Sequence, residues 1–186
     1  MANISQRGIG IVGARALPDS FREQVSAVVR YLVERDYQIH TGGAVGADQF
    51  ALETVISQRA FDRCVIYSAW TSLSGFPRGV QRFVDYFVSH QGRVDWGFVQ
   101  PSSSRGIVVA GLLARNTRLV SASSGLIAFM YGQSSGTRRT VLEAVRRGLR
   151  VVVFLCGGGA VLPELSSGRW LQLRCGLWEG AFMFNH

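Results

Sequence analysis

Short runs that read as strands alternate along this chain with stretches of helical periodicity, and this alternation constrains the fold more than any other feature. The runs are Gly8 to Gly13 (GIGIVG), Gln38 to Thr41, Arg63 to Tyr67, Gly125 to Met130 (GLIAFM) and Leu149 to Leu155 (LRVVVFL). Between the first two, Phe21, Val25, Val28, Val29 and Leu32 recur on one helical face, Ser20 and Glu23 have the spacing of a capping box, and Asp36 and Tyr37 end the helix. Further helices are expected to turn Phe50, Ala51, Val55 and Ile56 inward, then Val80, Phe83, Val84, Phe87 and Val88. Two more should run from about Ile107 to Asn116 and from Thr137 to Arg147. Strands that are apolar throughout, rather than alternating, are buried on both faces. The expected fold is therefore an α/β, Rossmann-like parallel sheet with helices on both faces.

Composition narrows the function. The chain has 186 residues and is 47% hydrophobic with 17% charged, enough apolar material for one core, so residues 1–186 are expected to form a single domain. Within it, 68–104 reads as a loop-rich insertion and 157–186 as a packing tail whose Trp170, Leu171, Leu173, Leu177, Trp178 and Phe182 need a partner surface. The longest apolar stretch, Gly106 to Ala114, is far short of the roughly 20 residues of a membrane-spanning helix, and Ile9 to Ala14 is a poor secretory signal. A cytoplasmic protein without membrane partner is expected. Cys64, Cys156 and Cys175 contain no CxxC pair and read as buried thiols, and His40, His90 and His186 share no metal-ligand spacing, so neither metal nor cofactor is implied.

The formal net charge is +8, and every basic residue is Arg. Arg forms two-pronged hydrogen bonds to phosphate, which suits an anionic partner, although uniform replacement of Lys by Arg explains the bias equally well. In either case there is no catalytic lysine, Schiff base or Walker-type P-loop. Three glycine-containing loops follow strands: Gly13-Ala14-Arg15, Gly42-Gly43-Ala44-Val45-Gly46-Ala47-Asp48 and Ser134-Ser135-Gly136-Thr137. Each leads to a helix N-terminus, where free N–H groups and the helix dipole favour an anion. In a doubly wound sheet such loops converge at one rim, where the strand order reverses.

GIGIVGAR (Gly8 to Arg15), TGGAVGADQFA (Thr41 to Ala51), ARN (Ala114 to Asn116) and SGTRRTVLEAVRRGLRVVVF (Ser135 to Phe154) resemble, in order, the conserved blocks of the SLOG superfamily, most closely the core of DprA/Smf DNA-processing proteins. Val45 stands where these families often have Arg, and Leu52 where DprA usually has His. The resemblance implies a nucleotide-like or phosphate-bearing ligand, in DprA single-stranded DNA. It implies ligand contacts from Gly13, Ala14 and Arg15, from Gly42, Gly43, Gly46 and Asp48, from Arg115 and Asn116, and from Ser135, Gly136, Thr137 and Thr140. Separately from the resemblance, the apolar residues of the tail, if exposed, point to a homodimer.

Each residue also has a plainer role. Asp48 can cap its helix, which is compatible with holding a ribose. Arg115 can form a salt bridge, Arg15 can be an exposed turn residue, and Asn116 can end its helix. Arg138, Arg139, Arg146, Arg147 and Arg150 form a basic patch, yet Arg139, Glu143 and Arg147 have the spacing of a solvated, salt-bridged face. The competing function is that of the LOG-type phosphoribohydrolases, nucleotide N-glycosidases of the same superfamily whose PGGxGTxxE motif carries a Glu three residues after Thr. Here that position is Thr140, Gln133-Ser134 replace two glycines, and Glu143 lies one turn later. A third reading is a sensor of a nucleotide signal. Binding is expected ahead of hydrolysis, which lacks its proton-transfer group.

Overall fold

The computed structural model describes residues 7–186. In chain order the elements are β1 (Gly8–Gly13), α1 (Arg22–Val33), β2 (Gln38–Thr41), α2 (Ala47–Ser57), β3 (Cys64–Tyr67), α3 (Arg78–Ser89), β4 (Arg93–Asp95), α4 (Arg105–Ala122), β5 (Gly125–Met130), α5 (Ser135–Arg146), β6 (Arg150–Leu155), β7 (Arg169–Gln172) and β8 (Phe182–Asn185). Among the described residues the strands form one sheet in the order β4-β3-β2-β1-β5-β6-β8-β7. The first six are parallel, and β8 and β7 add an antiparallel hairpin at one edge.

The period-two alternation of strands sorts the core into two layers. Ile11, Ile39, Ile66, Ile127 and Phe129 point to the face covered by α1, α2 and α3. Val12, Val65, Leu126, Ala128 and Met130 point to the face covered by Leu119 and Val120 of α4 and Val141, Ala144 and Val145 of α5. The fold is therefore Rossmann-like α/β, with helices on both faces of a largely parallel sheet. From β1 the chain winds outward to β4, and α4 then carries it back to the other side of β1. That reversal opens a crevice beyond the carboxyl ends of β1 and β5.

Several local expectations change. The capping box does not form: Ser20 lies in a tight turn, Phe21 holds the cap position without a side-chain bond, and Glu23 pairs with Arg30. α4 does not stop at Asn116 but continues to Ala122, because Leu119 and Val120 are fully buried against the sheet. Val88, expected to face inward, is 43% exposed on the outer side of the last turn of α3, while Ile56 is only half-buried. The stretch read as loop-rich after α3 supplies β4, which pairs with β3, and the tail supplies β7 and β8. Cys64 and Cys156 are buried, and burial raises both thiols, Cys156 to about 12, but Cys175 is exposed in the turn between β7 and β8. Among the described residues no helix is long and apolar enough to cross a membrane.

His40 gives the fold an acid sensitivity. It is 3% exposed, with Nδ1 2.9 Å from the Ser123 hydroxyl and Nε2 3.0 Å from Gln38 Oε1. Burial, helped by the charge of Arg93, lowers its pKa from 6.5 to about 4. The unfolded chain therefore takes up a proton that the native state refuses between those values, and stability falls as pH drops through this window. The loss should be on the order of 2–3 kcal/mol. Urea unfolding at neutral pH and near pH 4 measures it, and His40→Gln should flatten that part of the profile; an unchanged profile in the variant contradicts the assignment.

Candidate functional site

The crevice between β1 and β5 is a cleft of about 630 Å³. One wall is the turn after β1, with Gly13, Ala14, Arg15 and Ala16; the Ala14 N–H is held by the Phe129 carbonyl at 2.9 Å, which ties this turn to β5. The second wall runs from Tyr131 through the start of α5 and includes Gln133, Ser134, Ser135, Gly136, Thr137 and Thr140. The third is α4, which presents Val109, Leu112, Leu113, Arg115 and Asn116, while Ala44 and Asp48 lie at the base of α2.

The start of α5 is open to an anion. Ser134 at the cap position makes no side-chain bond to the backbone N–H groups of the helix; its hydroxyl instead lies 2.7 Å from the Thr137 hydroxyl. Ser135 and Gly136 are exposed, and the first N–H groups of a helix have no partner within it. Asn116 does not end its helix: its amide donates to Thr140 Oγ1 at 2.9 Å, and Thr140 donates to the Gly136 carbonyl at 3.0 Å. This chain of bonds locks α4 to the first turn of α5.

Beneath these walls lies a buried ion pair. Arg115 Nη1 is 3.4 Å from Asp48 Oδ2, with side-chain exposures of 8% and 6%. The same oxygen accepts the N–H groups of Gly42 (3.1 Å) and Ala44 (3.3 Å). Asp48 therefore does not cap its own helix as expected; it lies inside the first turn of α2, and its carboxylate holds the loop in front of it. Burial pushes the Asp48 carboxyl above the usual range, opposed by the Arg115 charge and the two N–H groups, and burial pushes the Arg115 guanidinium down. Among the described residues, the buried side-chain polar atoms without a partner are Arg115 Nε and Thr41 Oγ1, and Thr41 immediately precedes this loop. Both belong to the same corner of the rim.

The structure brings Gly13, Ala14, Arg15, Asp48, Arg115, Asn116, Ser135, Gly136, Thr137 and Thr140 to the cleft. It does not bring Gly42, Gly43 or Gly46 there: all three are buried, and of their loop only Ala44 joins Asp48 in the lining. Their reasons for being glycine are internal. A Cβ on Gly42 would lie 1.3 Å from Arg115 Nη1, so the missing side chain is the space the guanidinium occupies. Gly46 has φ +82°, and a Cβ there would lie 2.3 Å from the Ala14 carbonyl. Gly43 sits against the Phe76 ring.

Glu143 is absent from the lining; it pairs with Arg147 at 3.1 Å and accepts from Thr117 at 3.1 Å, the salt-bridged face its spacing suggested. The sequence reading missed the apolar wall formed by Val109, Leu112 and Leu113. Its signal was present, because GIVVAGLLA is apolar on every side, more than one core-facing stripe requires. Tyr131 and Gln133, in the turn between β5 and α5, also line the cleft. Among the described residues no group of His, Cys, Asp and Glu is arranged to hold a metal.

Known structures share this architecture. DNA processing protein A of Helicobacter pylori, whose structure addresses its binding of single-stranded DNA, superposes with a TM-score of 0.64 at 18% identity, over 80% of this chain and 65% of that one. DNA processing protein A of Streptococcus pneumoniae superposes with a TM-score of 0.64 at 22% identity, over 84% of this chain and 52% of that one. The chain thus spans between half and two thirds of the length of these structures. No curated protein sequence matches it. The family of DNA recombination-mediator protein A matches residues 1–168, from ahead of β1 to the threshold of β7, and the chain belongs to that family.

Proposed function

We propose that the cleft binds the sugar-phosphate backbone of single-stranded nucleic acid. The observation that carries this reading is Arg115: a residue 6% exposed, lining the cleft, with an Nε that has no acceptor among the described residues, beside the open N-terminus of α5. In this reading the N–H groups of Ser135, Gly136 and Thr137 and the turn at Gly13 and Ala14 receive phosphate oxygens, and the exposed Arg15 closes over them. Asn116 and Thr140 position the helix start. Gly42 and Gly46 act indirectly, by shaping the loop that holds Asp48 against Arg115. Family membership supports the same ligand, since the Helicobacter pylori relative is described binding single-stranded DNA. The reading extends to a cytoplasmic protein, and to a homodimer through the half-buried apolar residues of the tail.

The N-glycosidase reading is weaker. Asp48 is the sole carboxylate among the described residues that line the cleft, and its Oδ2 accepts from Gly42, Ala44 and Arg115. A carboxylate so engaged is a poor proton donor or base. Fluorescence anisotropy with a labelled oligothymidylate tests the binding reading. Affinity should fall steeply with salt, and Arg15→Ala should weaken it by about tenfold to a hundredfold, the loss of one charge-assisted contact. Binding indifferent to both salt and Arg15→Ala would refute it, and release of free base from nucleoside monophosphates would restore the hydrolase.

A further inference from the structure

The rim that holds the cleft carries a second surface, beyond the ends of β3 and β4. The backbone from Trp96 to Val99 is firmly held there. The Gly97 N–H donates to the Trp70 carbonyl (2.9 Å), the Val99 N–H to the Ala69 carbonyl (2.9 Å), and the Thr71 N–H to the Val99 carbonyl (3.0 Å). From α4, Arg118 Nη1 donates to the Trp96 carbonyl (3.0 Å) and the Asp95 carboxylate (3.2 Å), and Nη2 to the Ser68 carbonyl (2.5 Å). Yet the aromatic rings on this segment stay in solvent, with Trp96 39% and Phe98 57% exposed. Trp96 meets Phe76 edge-on at 6.0 Å. A well-fixed loop that leaves two large rings solvated forgoes the burial energy they could give the fold.

α4 separates this surface from the cleft. Gly111 lies flat against Val99, where a Cβ would come within 2.0 Å of Val99 Cγ2. Ile107, one turn earlier on the same face and 47% exposed, stands above that contact. Val109, on the opposite side of the helix and 49% exposed, lines the cleft. The first two turns of α4 thus have apolar, solvated flanks on both sides, and Arg105 is exposed at their start.

We propose that Trp96 and Phe98 form a base-stacking shelf for a single strand whose phosphates occupy the cleft, so that the ligand is an oligonucleotide crossing the first turns of α4. The proposal rests on the binding reading of the cleft and extends it. Every nucleobase offers a flat face to an aromatic ring, and the net charge of +8 suits a polyanion better than an apolar protein surface. β4 lies three strand positions from β1, roughly 14 Å at the usual spacing, a span beyond one nucleoside monophosphate.

The test compares thymidine monophosphate with an oligothymidylate long enough to span the rim. Trp96→Ala and Phe98→Ala should each weaken the oligonucleotide by about tenfold or more, while Trp96→Phe and Phe98→Tyr retain affinity and the mononucleotide binds all forms alike. Thermal unfolding serves as the folding control: Phe98→Ala should leave it unchanged, whereas Trp96→Ala, which loses the edge contact with Phe76, should lower it modestly and still leave a folded protein. If the alanine variants bind the oligonucleotide normally while Arg15→Ala does not, the shelf is refuted and the cleft stands. If neither ligand binds the unaltered protein, the cleft reading fails and the shelf with it. A lower sedimenting mass in the alanine variants, with oligonucleotide binding intact, would make the surface a contact between copies and overturn the proposal.

Discussion

Arg115→Ala should destabilise the protein by about 3–5 kcal/mol, the cost of leaving one member of a buried ion pair alone. Its partner Asp48 is 4% exposed and, among the described residues, has no other cation within ion-pair distance. Removing the guanidinium leaves a desolvated carboxylate held by two backbone N–H groups, and the loop from Gly42 to Ala44 loses its anchor. Asp48→Asn in the same background should recover part of the loss, because the neutral amide still offers an oxygen to that loop without a buried charge. Urea unfolding of the two single variants and the double variant forms the cycle. A cost below about 1 kcal/mol for Arg115→Ala would show that the pair contributes no more than an exposed one.

Phe129→Ala should cost a similar amount, about 3–5 kcal/mol, for a different reason. Phe129 is fully buried at the centre of the sheet, with its ring stacked on Phe154 at 4.9 Å and 4° between planes. It points to the layer of α1, α2 and α3, while its carbonyl holds the Ala14 N–H at the cleft. Truncation leaves a cavity in that layer and leaves the carbonyl in place. The folded fraction should therefore bind oligonucleotide as the unaltered protein does, and Phe129→Leu should cost only about 1 kcal/mol. Thermal unfolding reads the stability, and anisotropy below the transition reads the binding. Retained stability in Phe129→Ala would contradict the packing described for β5.

Among the parallel strands, β1, β3, β5 and β6 were legible as compact, largely apolar runs, and β2 from its place between a helix end and a glycine-rich loop. β4, β7 and β8 were not. Arg93–Asp95 carries two charges in three residues and becomes a strand only because β3 offers it an unpaired edge. The hairpin at β6 is likewise set by a tertiary partner, Phe182 and Met183 pairing with Val153 and Val152. In the site, the turn after β1 and the start of α5 could be read from glycines, small polar residues and their place after strands. The role of Asp48 could not: a carboxylate in the first turn of a helix usually serves that helix, and its link to Arg115 joins residues far apart in sequence. Asn116 was misread for a related reason: Asn commonly marks a helix end, but the burial of Leu119 and Val120 carries α4 on past it, and its amide binds Thr140.

The most direct test of the binding account is a crystal structure of the protein with a short oligothymidylate. The account predicts a phosphate within hydrogen-bond distance of the N–H groups of Ser135, Gly136 or Thr137, on the same side of the sheet as Arg15 and Arg115. A strand bound elsewhere, along the exposed arginines of α5 or the hairpin of β7 and β8, with the cleft between β1 and β5 free of phosphate, would contradict it.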